Sequence, residues 1–453
     1  MRRIAHFVAA LVAAGGLSAA TPRNVILFIG DGMSTPQRMV AEEFSRKLGL
    51  GPLAMNELPC QATTRTCSAS SLVTDSAASA TAIACGEKTR NGAVGVDINS
   101  ATIKSCAEVA RDSGAKVGVV TSVTINHATP AGFYAHRNNR SMKYEIGLDL
   151  VESRFDLFMG GGLDGANNAT NSPVYAGNLY DMATSKGWIV EEGKAGFNRL
   201  DASETKRTIW YRDNEGALSY AIDAKDSGSP RLPELTAFAI TNLANRADKD
   251  GSRFFLMIEG GRIDWAGHAN EAAANLRDML ELDSAIKVAL DWQGDHSDTL
   301  IIVTGDHETG GMSLGFAGTG YAFYMERLAH QTCSTDEFKN RYHALKAKDG
   351  TTFEDVEKLL TDSYGFKFEG DAKKDPMVLN EEDIASLKRH HEKGGLPDKA
   401  RRIMQAKAGV GWTSGSHTGL PALTTSKGPG SEMFTGLLDN TDISKIVKSF
   451  YAP

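Results

Sequence analysis

Val25-Ile26-Leu27-Phe28-Ile29-Gly30-Asp31-Gly32 is the stretch that decides the fold. Five consecutive apolar residues follow Arg23-Asn24 and end on a glycine and a carboxylate. A strand with one wet face alternates apolar and polar residues. An unbroken apolar run is instead a strand buried on both faces, the kind found in a mostly parallel sheet covered by helices. Residues 117–120, 155–159, 254–258 and 300–303 repeat the pattern, each followed by a polar or glycine-rich turn. Between them lie helical stretches: alanine-rich 69–84, amphipathic 106–113, and 269–290 with apolar residues at three- and four-residue spacing. The fold expected is α/β, a three-layer α/β/α sandwich around a large mostly parallel sheet.

Sheets of this kind bind ligands beyond the carboxyl ends of their strands. Three such ends carry one signature: Gly30-Asp31-Gly32, Glu259-Gly260-Gly261 and Gly305-Asp306-His307-Glu308-Thr309-Gly310-Gly311. Potential metal ligands flanked by glycine, on one edge of one sheet, point to a site assembled from distant segments. Asp264 and His268 are four apart at a helix start and share a face. Asp306 and His307 leave a strand together, and His417 lies in Ser414-Gly415-Ser416-His417-Thr418-Gly419. Three imidazoles with carboxylates and no thiolates suit catalytic zinc. Asp31, Glu259 and the Thr129 hydroxyl form a hard oxygen set that suits magnesium. Ser76, in Thr74-Asp75-Ser76-Ala77-Ala78-Ser79-Ala80, opens a helix whose positive end favours a bound anion. A serine there is either a helix cap or a nucleophile.

The rest of the chain bounds these readings. Forty-nine Lys and Arg against 56 Asp and Glu give a charge of −7, which argues against stable nucleic-acid binding. Forty-six glycines are scattered without a three-residue period, which excludes collagen. Arg2-Arg3, an apolar run over 7–17 and Ser18-Ala19-Ala20 make residues 1–20 a signal peptide, so the product is expected to be periplasmic or secreted. No later run of apolar residues is long enough to span a membrane. Export permits disulfides; five cysteines leave one over, and Cys60–Cys67 is the simplest pairing expected. Residues 316–410 are polar and helical without a core strand, and read as an insertion packed on a main domain of 21–315 and 411–453. That insertion is a candidate subunit contact in a homodimer. Its His390-His391 pair reads as a solvated helix face rather than a metal site.

The whole chain after residue 20 resembles the alkaline phosphatase family. The resemblance is carried, in order, by Ile29-Gly30-Asp31-Gly32-Met33, Thr74-Asp75-Ser76-Ala77-Ala78-Ser79-Ala80-Thr81-Ala82, His127-Ala128-Thr129-Pro130-Ala131, Glu259 to His268, Gly305 to Gly311, and Ser416-His417-Thr418-Gly419. It implies hydrolysis of small phosphate monoesters to an alcohol and inorganic phosphate. Ser76 then matches the nucleophile that forms a phosphoseryl intermediate. Asp264, His268 and His417 match the ligands of a first zinc, and Asp31, Asp306 and His307 those of a second. Asp31, Thr129 and Glu259 match a magnesium set, and Arg140, with Arg137 as the competing choice, matches the phosphate clamp. His127 and Trp265 depart from one bacterial branch, which has an acidic and a basic residue there. Both are expected around the ligands rather than among them: His127 to weaken magnesium or admit a softer ion, Trp265 to speed product release. Two rival readings are a sulfatase or phosphodiesterase on a related sheet, and a non-catalytic exported metal- or phosphate-binding protein. Ser34-Thr35-Pro36-Gln37-Arg38 fits the core of a sulfatase maturation motif, but the residues expected after it are missing.

Overall fold

The computed structural model describes residues 21–452 except 168–171, 173, 227 and 316–318; the expected signal peptide, residues 1–20, lies outside the described residues. In chain order the strands are β1 (Asn24–Gly30), β2 (Cys60–Arg65), β3 (Lys116–Thr124), β4 (Leu157–Gly161), β5 (Ile189–Glu192), β6 (Ile209–Arg212), β7 (Phe254–Gly260), β8 (Thr299–Gly305), β9 (Glu308–Thr309), β10 (Ser313–Leu314), β11 (Val410–Gly411), β12 (His417–Thr418), β13 (Ala422–Lys427) and β14 (Gly436–Asp439). Among the described residues ten of them form one sheet, ordered β14-β2-β13-β8-β1-β7-β3-β4-β6-β5. Every neighbouring pair is parallel except those of β13, which runs antiparallel to β2 and β8.

The apolar run that opened the reading is β1, buried along its whole length at the centre of the sheet. Its side chains divide between two cores. Ile26 and Phe28 pack on one face with helices Thr35–Lys47, Leu232–Asp250 and Ala272–Asp295. Val25, Leu27 and Ile29 pack on the other with helices Ser76–Cys85, Cys106–Asp112, Lys143–Glu152 and Asn440–Tyr451. Alternate side chains of a strand point to opposite faces, so one continuous apolar run feeds both layers.

Two expectations are corrected. The alanine-rich helix starts at Ser76, not 69, because Asp75 caps it by accepting from the Ala78 N–H, and residues 69–75 form a loop. Cys60 and Cys67 are free, as are Cys85, Cys106 and Cys333. Strand β2 runs between the first two, and at ~3.3 Å per residue it holds them far beyond the ~7 Å a disulfide allows.

Residues 319–408 are helical, as expected, with helices Thr335–Lys346, Phe353–Tyr364, Glu381–Lys393 and Leu396–Ala408. Their buried faces, including Phe338, Leu360, Leu387 and Met404, join the core that also contains Ile26 and Phe28. The chain enters and leaves this segment through one ribbon, β10 paired with β11.

Candidate active site

Register brings the chemistry to one edge. Ile29 lies beside Glu259 across β1 and β7, and Gly30 beside Gly305 across β1 and β8. Asp31 and Asp306 therefore emerge at the same level, with Glu259 two positions below. The turn after β1 needs glycine: Gly32 has φ +74°, and its N–H donates to Asp306 Oδ1 at 3.0 Å. Helix Arg262–His268, directly after β7, supplies Asp264 and His268. Thr129 comes from the short helix after β3, and His417 from β12, paired with β9 so that His417 lies opposite Thr309.

Ser76 is the first residue of its helix and is 1% exposed. Because Asp75 does the capping, the Ser76 hydroxyl is left for other partners. Its Oγ lies 3.1 Å from His307 Nε2 and 3.5 Å from Asp31 Oδ1.

Three groups of donors converge around it: Asp264, His268 and His417; Asp31, Asp264 and His307; and Asp31, His127 and Glu259. The first group states its need for a cation most clearly. His268 Nδ1 lies 2.8 Å from the Gly415 carbonyl and His417 Nδ1 2.9 Å from that of Thr74. Each carbonyl can only accept, so each neutral ring carries its proton on Nδ1. The two Nε2 lone pairs then face each other at 3.1 Å, with Asp264 oxygens 3.4 Å from each. Acceptors aimed at one another repel unless a cation lies between them. In the second group Asp31 Oδ1 lies 3.3 Å from His307 Nε2; Asp306, outside that group, brings its Oδ2 to the same distance, buried and without a hydrogen-bond partner. In the third, Thr129 Oγ1 lies 3.5 Å from Asp31 Oδ2, and Glu259 Oε1 is buried without a partner. The donor sets fit metal ions.

The electrostatics say the same. Burial, reinforced by Asp306, Asp264 and Glu259, pushes the Asp31 carboxyl well above its ordinary range. Burial and the charge of Asp264 push Asp306 up to about 7; burial and the charge of Asp306 push Glu259 up to about 8. Burial also lowers His307. Asp264 goes the other way: burial opposes its ionisation, but the imidazoles of His417, His307 and His268 around it hold it low. Four buried carboxylates this close require positive charge.

Arg140 borders the site. It reaches Asp75 Oδ2 at 3.2 Å and His127 Nε2 at 3.1 Å. Arg137 is held elsewhere, by two bonds of 2.8 and 2.5 Å to Asp149. Burial and Arg140 lower His127 to about 3, so the ring is neutral, and accepting from Arg140 places its proton on Nδ1. His127 thus faces Asp31 and Glu259 as a donor. Trp265 meets His127 edge-on at 6.0 Å, and the Arg262 guanidinium lies 4.7 Å over the Trp265 ring.

The other sequence candidates stay apart. Ser34 Oγ donates to the Pro421 carbonyl at 2.6 Å, and Arg38 is buried among the Met55 and Leu423 carbonyls and Asn56, so that motif is structural. His391 Nδ1 bonds the Tyr342 hydroxyl and His390 Nδ1 faces the Ser386 carbonyl, away from the cluster. Residues whose contacts the sequence did not give also surround the site. Thr121 donates to Glu259, and the buried carboxylate of Glu308 accepts from Gln37, Gly311, Met312 and Thr418, tying the His417 strand to β9. Thr309 bonds both Asp264 and His307. Two-residue alternation was the available signal: in an extended segment His307 and Thr309 share one face, Asp306 and Glu308 the other.

The comparisons agree with this geometry. The family profile described as Alkaline phosphatase matches residues 22–452. Alkaline phosphatase 3 of Bacillus subtilis (strain 168) is 33% identical over 446 residues, covering 94% of this chain and 88% of that protein. The cold-active alkaline phosphatase of the psychrophile Shewanella sp. superposes with a TM-score of 0.81 at 28% identity, covering 95% of this chain and 100% of its own. A histidine-to-aspartate variant of the alkaline phosphatase of the Antarctic bacterium TAB5, with Mg bound in its M3 site, has a TM-score of 0.66 at 27% identity, covering 96% and 99%. With three convergent donor groups around a buried serine and matches along nearly its whole length, the chain belongs to the alkaline phosphatase family and is a metal-dependent phosphomonoesterase.

Proposed function

We propose that hydrolysis proceeds through a phosphoseryl intermediate on Ser76. The carrying observation is the placement of its hydroxyl, freed from capping by Asp75 and 3.1 Å from His307 Nε2 at the centre of the donor groups. Zinc would be held by Asp264, His268 and His417 and by Asp31, Asp306 and His307, and magnesium by Asp31, Thr129 and Glu259, following the nitrogen-bearing and all-oxygen character of the sets. A third site that holds magnesium in a histidine-to-aspartate variant of the TAB5 enzyme supports a divalent ion at the third set. Bound there, these ions supply Lewis-acid stabilisation of the attacking and leaving oxygens and lower the cost of ionising Ser76.

The chain's own part is positional. The start of helix Ser76–Cys85 turns its positive end toward the phosphoryl group. The Arg140 fork, with a nitrogen each on Asp75 and His127, is set to grip two phosphoryl oxygens. Burial of Ser76, Asp31 and His307 keeps bulk water from the reacting centre. His268, with 41% of its side chain exposed, and Gly415 line the open side, where alcohols of varied shape leave. Broad specificity follows. Export, with residues 1–20 removed, belongs to the same reading, and the N-terminal sequence of protein recovered outside the cytoplasm tests it.

Ser76→Ala should abolish most turnover while leaving metal content near that of the parent, measured by elemental analysis beside phosphate-ester hydrolysis. Full activity in that variant would overturn the nucleophile assignment.

A further inference from the structure

Thr309 is fully buried in β9, and its hydroxyl is shared between two ligand groups. Oγ1 lies 2.5 Å from Asp264 Oδ1 and 3.3 Å from His307 Nδ1. A threonine hydroxyl carries one proton. An ionised carboxylate can only accept, so that proton goes to Asp264 in a short charge-assisted bond. The hydroxyl then offers His307 only a lone pair. His307 must carry its ring proton on Nδ1, and its Nε2 keeps the lone pair that faces Ser76, Asp31 and Asp306.

The surroundings fix this arrangement. A Cβ at Gly267 would come within 3.0 Å of Thr309 Cβ and Cγ2, so the methyl group lies against that glycine and the rotamer is set. A Cβ at Gly32 would come within 2.9 Å of Thr309 Oγ1 and of the Asp264 Cα. Glycines from two separate motifs thus leave room for this one side chain. The backbone is held as well, by Gln37 Nε2 donating to the Thr309 carbonyl at 3.1 Å and by pairing opposite His417.

We propose that Thr309 is a positioning residue that joins the two zinc ligand groups through a single hydroxyl, orienting the Asp264 carboxylate and setting the tautomer of His307 before an ion arrives. The inference rests on the reading of Asp264 and His307 as ion ligands. One consequence is that one side chain, touching neither substrate nor ion, governs affinity at two sites together.

The test uses the full-length enzyme, stripped by chelation and titrated with zinc against a chromophoric chelator, with thermal unfolding of each ion-free protein recorded alongside. Thr309→Val keeps the shape and removes the hydroxyl; Thr309→Ser keeps the hydroxyl. Expected are about a tenfold or greater loss of zinc affinity at both sites in T309V, and T309S within about threefold of the parent. Ion-free unfolding temperatures should be close to the parent's in both. If T309V does not fold, T309A replaces it in the same comparison. Parent-like zinc binding at both sites in the hydroxyl-free variant overturns the proposal. An equal loss in T309S overturns it too, since the methyl packing would then be at fault. A parent that takes up no zinc refutes the ligand reading itself, and this inference falls with it.

Discussion

Arg140 is the residue whose role is most open to measurement. Its two terminal nitrogens are engaged with Asp75 and His127, both exchangeable partners at the edge of the site, whereas Arg137 is locked on Asp149. Charge-assisted hydrogen bonds are worth ~1.5–3 kcal/mol each, so Arg140→Ala should raise KM and the inhibition constant for inorganic phosphate by roughly tenfold to hundredfold. Arg137→Ala should instead lower stability through Asp149 with a smaller effect on phosphate binding. Steady-state kinetics with phosphate as inhibitor separates the two. Of the residues placed at strand ends from the sequence, Asp31, Glu259 and His307 fall within the donor groups and Asp306 lies 3.3 Å from His307 Nε2 beside them, because parallel register leaves adjacent strand ends little choice. Thr309 and Glu308 were in plain view in the same motif. Their part was not legible because it depends on which side chains β9 and β12 bring together across a loop of more than a hundred residues.

At the scale of the element, the helix that begins at Ser76 shows how one cap serves two ends. Asp75 accepts from the N–H of Ala78 and of Gly92, at 2.9 and 3.0 Å, and also meets Arg140. Losing a cap costs ~1 kcal/mol, so in a chain of this length Asp75→Ala should lower the thermal unfolding temperature by about a degree, and Asp75→Asn, which keeps an acceptor oxygen, should recover most of that. Alanine content made the helix easy to find but blurred its start, since Ala69 and the serines after it fit a helix nearly as well as a loop, while Thr74-Asp75-Ser76 reads as an opening. What decides between them is the Asp75 carboxylate, which accepts from the Ala78 N–H three residues on. The cysteines teach the converse: Cys60 and Cys67 are near in sequence, and an extended strand turns that nearness into distance.

The molecule as a whole carries the cost of its site in its response to pH. Asp31, Asp306 and Glu259 all have carboxyls raised by burial and by one another, to about 7 for Asp306 and about 8 for Glu259. Without ions the folded state holds more protons than the unfolded chain above about pH 4, so its stability falls as pH rises through about 7 to 8. Unfolding temperatures of chelated enzyme should therefore drop by several degrees from about pH 5 to 8, and added zinc should flatten the curve. A curve that is the same with and without zinc would mean that these carboxylates are neutralised by some other route. The three-layer architecture was legible because β1, β3, β7 and β8 are apolar on both faces; the reversed strand β13 was not, since Ala422–Lys427 is half threonine and serine and pairs through backbone register alone.

That register has a temporal side. Asn24, at the head of β1, bonds Thr299 of β8, 275 positions later, and β13 enters the sheet beside β8 only after His417 has passed. A ribosome delivers residues in order, so the first strand waits, unpaired at the centre, until both of its neighbours exist. Contacts so far apart in the chain form late and slowly. The donor group of Asp264, His268 and His417 cannot close until nearly the whole polypeptide has been made. Metal loading is thus an event that follows synthesis, and the ion that fills the site is drawn from whichever compartment the chain finishes folding in.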